Sequence, residues 1–204
     1  ETKNDDEKER EIIRRFLETP ASILVATQII FSHKYYLPKI PLIGIINADT
    51  LINFPDFRAE ESLFRQIYTL GRMAGRLLIQ TYNPENEAIK SAVSGDMKLF
   101  FSKELANRKT FSYPPFSKLI KLTYKHKDPI KARREATILY EKLAQAVLQL
   151  KAKGSGLKID LFGPSSAFIS RERGEYIWNI IIKLGAEGVE EIKTRNELLR
   201  YVPS

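Results

Sequence analysis

The chain has 204 residues, of which 43% are hydrophobic and 28% are charged, and its formal net charge is +8. This composition favours a globular protein with one large core or two small ones and excludes a disordered chain. The lack of long apolar runs, of a signal peptide and of cysteine excludes a membrane span, disulfides and thiolate metal sites, and it fits a cytoplasmic protein.

The first 84 residues alternate helical and strand-like patterns. Short, continuously apolar runs are typical of strands that are buried on both faces of a parallel sheet. The predicted elements are a helix at 5–18, a strand at 22–27, an aromatic-rich loop at 31–39, a strand at 41–46, a helix from about Ala59 and a strand at 77–82. This order indicates part of an open parallel α/β sheet, with fewer strands than a stable lobe usually carries.

The remaining residues predict a connector and a second domain. The motif Y-P-P-F at 113–116 breaks the chain rigidly, so we divide the chain into 1–84, a helical connector at 85–112 and an α+β domain at 113–204. The elements predicted in that domain are a strand around 120–124, a helix at 130–152, a flexible turn at 153–156, strands at 157–162, 165–170 and 175–183, and a helix at 187–200.

Basic residues concentrate between Lys98 and Arg134. This window holds eleven lysines and arginines against two acidic residues. Aromatic residues are interleaved with them, namely Phe100, Phe101, Phe111, Tyr113, Phe116 and Tyr124. The pattern favours a surface that follows phosphates and stacks bases, and the alternative is a solvated helix face beside an aromatic core. We favour nucleic acid over an acidic protein or a membrane.

Two Gly-Arg pairs, at Gly71-Arg72 and Gly75-Arg76, lie between a predicted helix and a predicted strand. Arginine presents forked, permanently charged donors that match phosphate geometry, and glycine allows the backbone to approach a ligand. The alternative is a surface turn with solvated arginines. The sequence has no Gly-Lys pair for a phosphate-binding loop and no strand followed by Asp-Glu for magnesium, and its two histidines do not form a zinc pattern. The chain therefore cannot carry out nucleotide chemistry by itself.

Seven motifs then occur in a fixed order. They are N-A-D (47–49), D-F-R-A-E (56–60), the Gly-Arg cluster (71–76), I-Q-T-Y-N-P (79–84), Y-P-P-F (113–116), G-P (163–164) and R-x-R-G-x-Y (171–176). Together they resemble the C-terminal half of the primosomal replication-restart helicases, a bacterial family of superfamily 2 DNA helicases. The resemblance covers about residues 12–199.

This resemblance implies a fold and a set of ligands. Residues 1–84 would be the latter part of a RecA-like second helicase lobe with a parallel sheet, and 113–204 a small α+β domain that binds forked or single-stranded DNA. The family's DNA-end-binding domain, ATP-binding lobe and zinc insertion would lie upstream of Glu1. ATP and magnesium would then belong to the full-length protein, the zinc site would be absent here, and replication-restart and single-strand-binding proteins would be possible partners.

The resemblance and the pattern of basic residues together supply candidate residues. Those for catalysis are Arg72 and Arg76, those for nucleotide and motor coupling are Thr27, Gln28 and Asp49, and those for DNA binding are Lys118, Lys121, Lys125, Arg171, Arg173 and Lys183. The two arginines are four residues apart, whereas the family's are three apart, and a mis-aimed arginine finger would cost roughly 10³–10⁵ in rate. Three functions stay open: part of an active helicase, a non-catalytic DNA-binding module derived from one, or a scaffold that contacts only proteins.

Overall fold

A computed structural model describes residues 2–153, 158–185 and 188–202. The chain divides into two compact units, the first ending at Phe100 and the second beginning at Phe101. The helices are α1 (Thr2–Glu18), α2 (Asp49–Ile52), α3 (Ala59–Met73), α4 (Glu87–Ser94), α5 (Met97–Thr110), α6 (Pro129–Ala152) and α7 (Gly188–Leu199). The strands are β1 (Ile40–Ile45), β2 (Ala74–Ile79), β3 (Ser117–His126), β4 (Ile159–Glu172) and β5 (Glu175–Gly185). No helix within the described ranges is long and apolar enough to cross a membrane.

The first unit contains a parallel pair of strands, β1 and β2. Helix α3 packs its apolar stripe, including the buried Leu63 and Ile67, into a core that Ala88 and Ile89 of α4 complete. The predicted helix from Ala59 and the strand at 41–46 are confirmed, and β2 begins at Ala74 rather than at residue 77. Helix α3 therefore passes directly into β2, so that the Gly-Arg pairs occupy a helix end and a strand rather than a turn.

The strand predicted at 22–27 is wrong. This segment forms no strand, and its residues Ile23 and Val25 are 89% and 86% exposed. An apolar β-branched run becomes a strand only where a neighbour supplies ladder hydrogen bonds, and the sheet of this unit consists of β1 and β2 in the described part of the chain. The loop predicted at 31–39 overlaps a 3₁₀ helix over Gln28–Tyr36, and its His33 lies 2.6 Å from the carboxylate of Glu9 in α1.

The predicted helical connector consists of α4 and α5. The side chain of Asn86 caps α4 by accepting hydrogen bonds from two backbone N–H groups, and Gly95 ends the helix in a left-handed conformation. In α5, Arg108 forms an ion pair of 2.7 Å with Glu104 and donates to the carbonyl of Pro114. These contacts attach the proline-rich segment to the end of α5. The domain boundaries after residues 84 and 112 stay a prediction.

The second unit is a three-stranded antiparallel sheet in the order β3–β5–β4, covered on one face by α6 and α7. The core contains Leu143 and Val147 of α6, Ile180 and Ile182 of β5, and Leu198 of α7. The predicted long helix and closing helix are confirmed. The strands predicted at 157–162 and 165–170 form one strand, β4, which passes residues 163–164 with a shift in register. Residues 154–156 of the predicted turn lie outside the described residues.

Candidate nucleic-acid interface

Asp49 joins the carboxyl ends of the two parallel strands. One oxygen of its carboxylate accepts from the Thr81 hydroxyl and the other from the backbone N–H of Tyr82, each at 3.0 Å. A small pocket of about 70 Å³ lies beside them and is also lined by Asn47 and Gln80. Open α/β sheets bind ligands at this edge, outside the carboxyl ends of their strands. The two hydrogen bonds that Asp49 accepts thus have a structural role, and its predicted role in nucleotide and motor coupling stays a prediction.

The other predicted motor residues lie apart from this edge. Arg72 is exposed in the last turn of α3, with its guanidinium 5.8 Å from the ring centroid of Tyr68. Arg76 is exposed in β2, opposite Leu42, while Thr27 and Gln28 are exposed at the start of the 3₁₀ helix. Across the described ranges, no hydrogen bond or ion pair joins any two of the five predicted motor residues. Their functional roles stay predictions.

The structure explains why residue 75 is a glycine, which the sequence alone did not reveal. A Cβ atom added at this position would lie 2.9 Å from the carbonyl oxygen of Pro41. The close backbone approach that this glycine allows is therefore to the neighbouring strand β1.

No group of three or more potential metal-ligating side chains is found in the described part of the chain.

In the second unit, the face of the sheet opposite α6 carries three of the predicted DNA-binding lysines. Ile120 and Leu122 of β3 pack toward α6, so alternate residues of that strand lie on the other face, which we call the outer face. Lys121 and Lys125 lie there, and Lys183 joins them because it is paired with Leu119 in the register of the sheet. Three of the six predicted DNA-binding residues are thus brought onto one surface.

The three outer-face lysines have different surroundings. Lys125 forms an ion pair of 2.7 Å with Glu172, and the hydrogen bond from Lys125 lowers the pKa of that carboxyl group. Lys183 donates to the carbonyl of Phe111 at 2.9 Å and lies 4.5 Å from the ring centroid of Tyr113. Lys121 is exposed and forms no ion pair with any residue that the structure describes. Of the three ammonium groups, that of Lys121 is the most available to a ligand.

Lys118 lies on the opposite face of the sheet. It is paired in register with the core residue Leu184, and its ammonium lies 2.8 Å from the carboxylate of Glu191 in α7. Glu191 is only 3% exposed, so Lys118 neutralises a buried charge. This placement separates Lys118 from the outer-face lysines, and its DNA-binding role stays a prediction.

Arg171 and Arg173 lie where β4 turns into β5. Arg173 and Gly174 have φ angles of 48° and 85°, which correspond to the two central positions of a type I′ hairpin turn. The guanidinium of Arg171 lies 5.2 Å from the ring centroid of Tyr176. Both arginines are exposed. The hairpin therefore presents two cations at one end of the sheet.

Phe162 is 50% exposed on the outer face and is not among the binding residues predicted from the sequence. Its ring centroid lies 5.7 Å from the ammonium of Lys183. In the basic window, by contrast, Phe100 is buried and stacks on Phe64 at 4.2 Å between ring centroids. Strand alternation with the inward-facing Leu161 could have indicated the exposure of Phe162, because neighbouring residues of a strand face opposite sides.

Comparisons with known proteins agree with the resemblance seen in the motifs. Residues 109–202 match the family described as primosomal protein N C-terminal domain. Among curated relatives, Replication restart protein PriA of Bacillus subtilis is 32% identical over 182 residues, which are 86% of this chain and 22% of that protein. The proteins of the same name from Borreliella burgdorferi and Thermotoga maritima are 33% and 31% identical over 83% and 91% of this chain, and over 25% and 24% of their own lengths.

The chain spans about a quarter of the length of these curated relatives. The similarity to the Thermotoga maritima protein covers most of the chain, and the match to the C-terminal domain covers residues 109–202. The α/β unit with a parallel sheet, followed by a small α+β unit, agrees with the fold class expected from the motifs. The chain therefore belongs to the primosomal replication-restart protein family, and it corresponds to the C-terminal part of such a protein.

Proposed function

We propose that the chain acts in replication restart as the C-terminal portion of an ATP-dependent DNA helicase, in which the second unit binds forked or single-stranded DNA. The observation that carries this proposal is the match of residues 109–202 to the C-terminal domain family, on a unit whose outer face presents Lys121, Lys125 and Lys183. The relatives that match the chain are named replication restart proteins. We also propose replication-restart and single-strand-binding proteins as partners of this chain.

The charges of the second unit support binding to the nucleic-acid backbone. Lys121 and Lys125 are separated by four residues on one strand, so both lie on the outer face, and Arg171 and Arg173 extend the positive charge to the hairpin. Lysine and arginine recognise phosphates without reading sequence, and neutralised phosphates release counterions. We therefore expect binding that depends strongly on salt and weakly on base sequence.

For the first unit we propose a contribution to the motor lobe of the longer protein. Asp49 and the pocket beside it lie at the ligand-binding edge of a parallel sheet, where a neighbouring lobe could present a nucleotide. ATP and magnesium would be held mainly by parts of the family protein that this chain does not contain. Arg72 or Arg76 would then stabilise charge on a phosphate held elsewhere.

A second candidate is a non-catalytic DNA-binding module. The observation that favours it is the separation of the motor residues: Arg72 packs on Tyr68 at a helix end, whereas Arg76 projects from a strand. The residues encoded upstream of Glu1 distinguish the two candidates. An intact phosphate-binding loop there would support the helicase, and a degenerate loop would support the binding module.

The test of DNA binding is its dependence on salt. We would measure the affinity of the 204-residue chain for forked, duplex and single-stranded oligonucleotides by fluorescence anisotropy across a range of salt concentrations. If four or five phosphates are neutralised, log affinity should fall with log salt at a slope of about −0.9 per contact on duplex and about −0.7 on single strands. A slope near zero would reject DNA binding and favour the protein scaffold.

A further inference from the structure

The outer face of the second sheet carries a row of three exposed side chains, one from each strand. Lys121 of β3 is paired with Ile181 of β5, which is paired in turn with Phe162 of β4. Residues that are paired directly across an antiparallel sheet lie on the same face, with Cβ atoms about 5 Å apart. The row therefore places a charged group on one edge strand and an aromatic ring on the other, about two strand spacings away.

The Phe162 side chain lies beside a lysine ammonium and is half exposed to solvent. Lys183 lies in the next row, with its ammonium 5.7 Å from the Phe162 ring centroid and 4.5 Å from that of Tyr113. A hydrogen bond of 2.9 Å to the carbonyl of Phe111 fixes this ammonium. Half of the Phe162 surface remains exposed to solvent. A core role does not explain a large aromatic residue on this face.

We infer that Phe162 stacks against a base of a single-stranded nucleic acid, while Lys121 contacts the phosphate backbone of the same strand. This inference rests on the proposed function; it narrows the ligand to a single strand and names the residue that recognises a base. Every base has a flat π face, so an exposed ring binds bases without sequence preference. Bases in a duplex are stacked on each other, so their faces are not available to such a ring.

Charge complementarity selects this occupant over an apolar protein surface. Lysines flank the ring on the outer face, at Lys121 in its own row and at Lys183 in the next. An apolar partner would have to desolvate the exposed ammonium of Lys121 without compensation, which is unfavourable. A strand of nucleic acid offers a phosphate to Lys121 and a base to the ring.

The test compares the effect of Phe162→Ala on two ligands that differ only in their bases. The ligands are an oligothymidine of about 16 nucleotides and an abasic strand of the same length. Stacking on one ring should make Phe162→Ala lower the affinity for oligothymidine by about fivefold to about a hundredfold. The same variant should bind the abasic strand as the parent chain does, and its salt dependence should be unchanged. Phe162→Trp should restore binding to oligothymidine.

Phe168 provides a matched control on the same strand. It is 70% exposed, more than Phe162, and it lies outside the row that contains Lys121. Phe168→Ala should leave the affinity for oligothymidine within about twofold of the parent. Lys121→Ala should instead weaken binding to both strands and reduce the salt slope by about 1.

The outcomes separate the failure of this inference from that of the proposed function. Salt-dependent binding that Phe162→Ala leaves unchanged, or that it weakens equally on the abasic strand, would overturn the stacking role while DNA binding stands. An equal loss in Phe168→Ala would also overturn it. Absence of salt-dependent binding in the parent chain would reject the proposed function and the inference with it.

Discussion

The ammonium of Lys118 lies 2.8 Å from a carboxylate oxygen of Glu191, which connects the exposed surface of β3 to a buried residue of α7. The other carboxylate oxygen of Glu191 is buried and has no hydrogen-bond partner in the described part of the chain. Removal of Lys118 would leave a buried charge without a counterion. Lys118→Ala should therefore lower the free energy of unfolding by about 1–3 kcal/mol, measured by urea denaturation.

Lys121→Ala is the matched control for this prediction. Lys121 lies on the same strand but is exposed and forms no ion pair with any described residue, so its removal should change the free energy of unfolding by less than about 0.5 kcal/mol. The double variant Lys118→Ala with Glu191→Gln should recover part of the loss, because a neutral amide is less costly to bury than an unpaired carboxylate. Equal effects of the two lysine variants would contradict the structural role of Lys118.

Gly75 offers a test of the first unit. Gly75→Ala would bring a Cβ atom to 2.9 Å from the backbone oxygen of Pro41, so the two parallel strands would have to separate. We expect a loss of about 1–3 kcal/mol in the free energy of unfolding, measured by chemical denaturation. Gly44→Ala in β1 is the control, because a Cβ atom there meets nothing within 4 Å. Similar stability of the two variants would show that the strands are not this close in solution.

The Asp128 side chain should make the stability of the chain depend on pH. Its carboxylate caps α6 by accepting from the backbone N–H groups of Lys131 and Ile130, and these hydrogen bonds lower its pKa below the usual value of 3.8. Its stabilisation is therefore present above pH 3.8 and is lost as the pH falls through the lower pKa of the folded state.

The variant Asp128→Asn keeps a capping oxygen but does not titrate. The difference in Tm between the parent chain and this variant should be constant near neutral pH. As the pH falls below about 4, the Tm of the parent should fall relative to that of the variant, because only the parent loses the charge of its cap. Asp128→Ala, which removes the cap, should lower the Tm by about 2–4 °C at neutral pH. These values can be measured by circular dichroism. A difference between parent and Asn variant that does not change with pH would refute the cap's electrostatic contribution.

Local patterns in the sequence were sufficient for most elements of the fold. The apolar period of 3.6 residues predicted α6, and alternation predicted β3, because each pattern records which side of one element is buried. The run at 22–27 has the composition of a buried strand, but a strand also needs a partner, and pairing depends on distant residues. The sequence alone therefore could not show that Ile23 and Val25 remain exposed.

The candidate DNA-binding residues show the same limit. Alternation separates Lys118 from Lys121, since they are three residues apart on a strand and face opposite sides. Glu191, however, is far from Lys118 along the chain, and only the tertiary structure reveals their ion pair. Likewise, the pairing of Phe162 with Ile181, and of Ile181 with Lys121, depends on the strand order β3–β5–β4. The clustering of basic residues along the sequence identified the basic window, but it could not show which of these residues share a surface.

The isolated chain should show no DNA-stimulated ATPase activity. It has no phosphate-binding loop or magnesium-binding carboxylate pair in its sequence, and arginines stabilise charge only on a phosphate that other groups hold. A coupled assay of phosphate release, with and without DNA, measures this directly. Turnover that persists through purification and disappears in Arg76→Ala would show that the chain holds a complete nucleotide site.

Lys121 and Arg173 together test whether the outer face and the hairpin contact one nucleic-acid backbone. We would combine Lys121→Ala with Arg173→Asn, because asparagine tolerates the φ of 48° at this turn position and so removes the charge while preserving the hairpin. The double variant should reduce the magnitude of the salt slope by about 1–2 and weaken binding to all sequences by a similar factor. Its Tm should stay close to that of the parent chain. An unchanged slope would place the DNA contacts elsewhere on the chain. A slope near zero in the parent would leave these charges a role only in solubility.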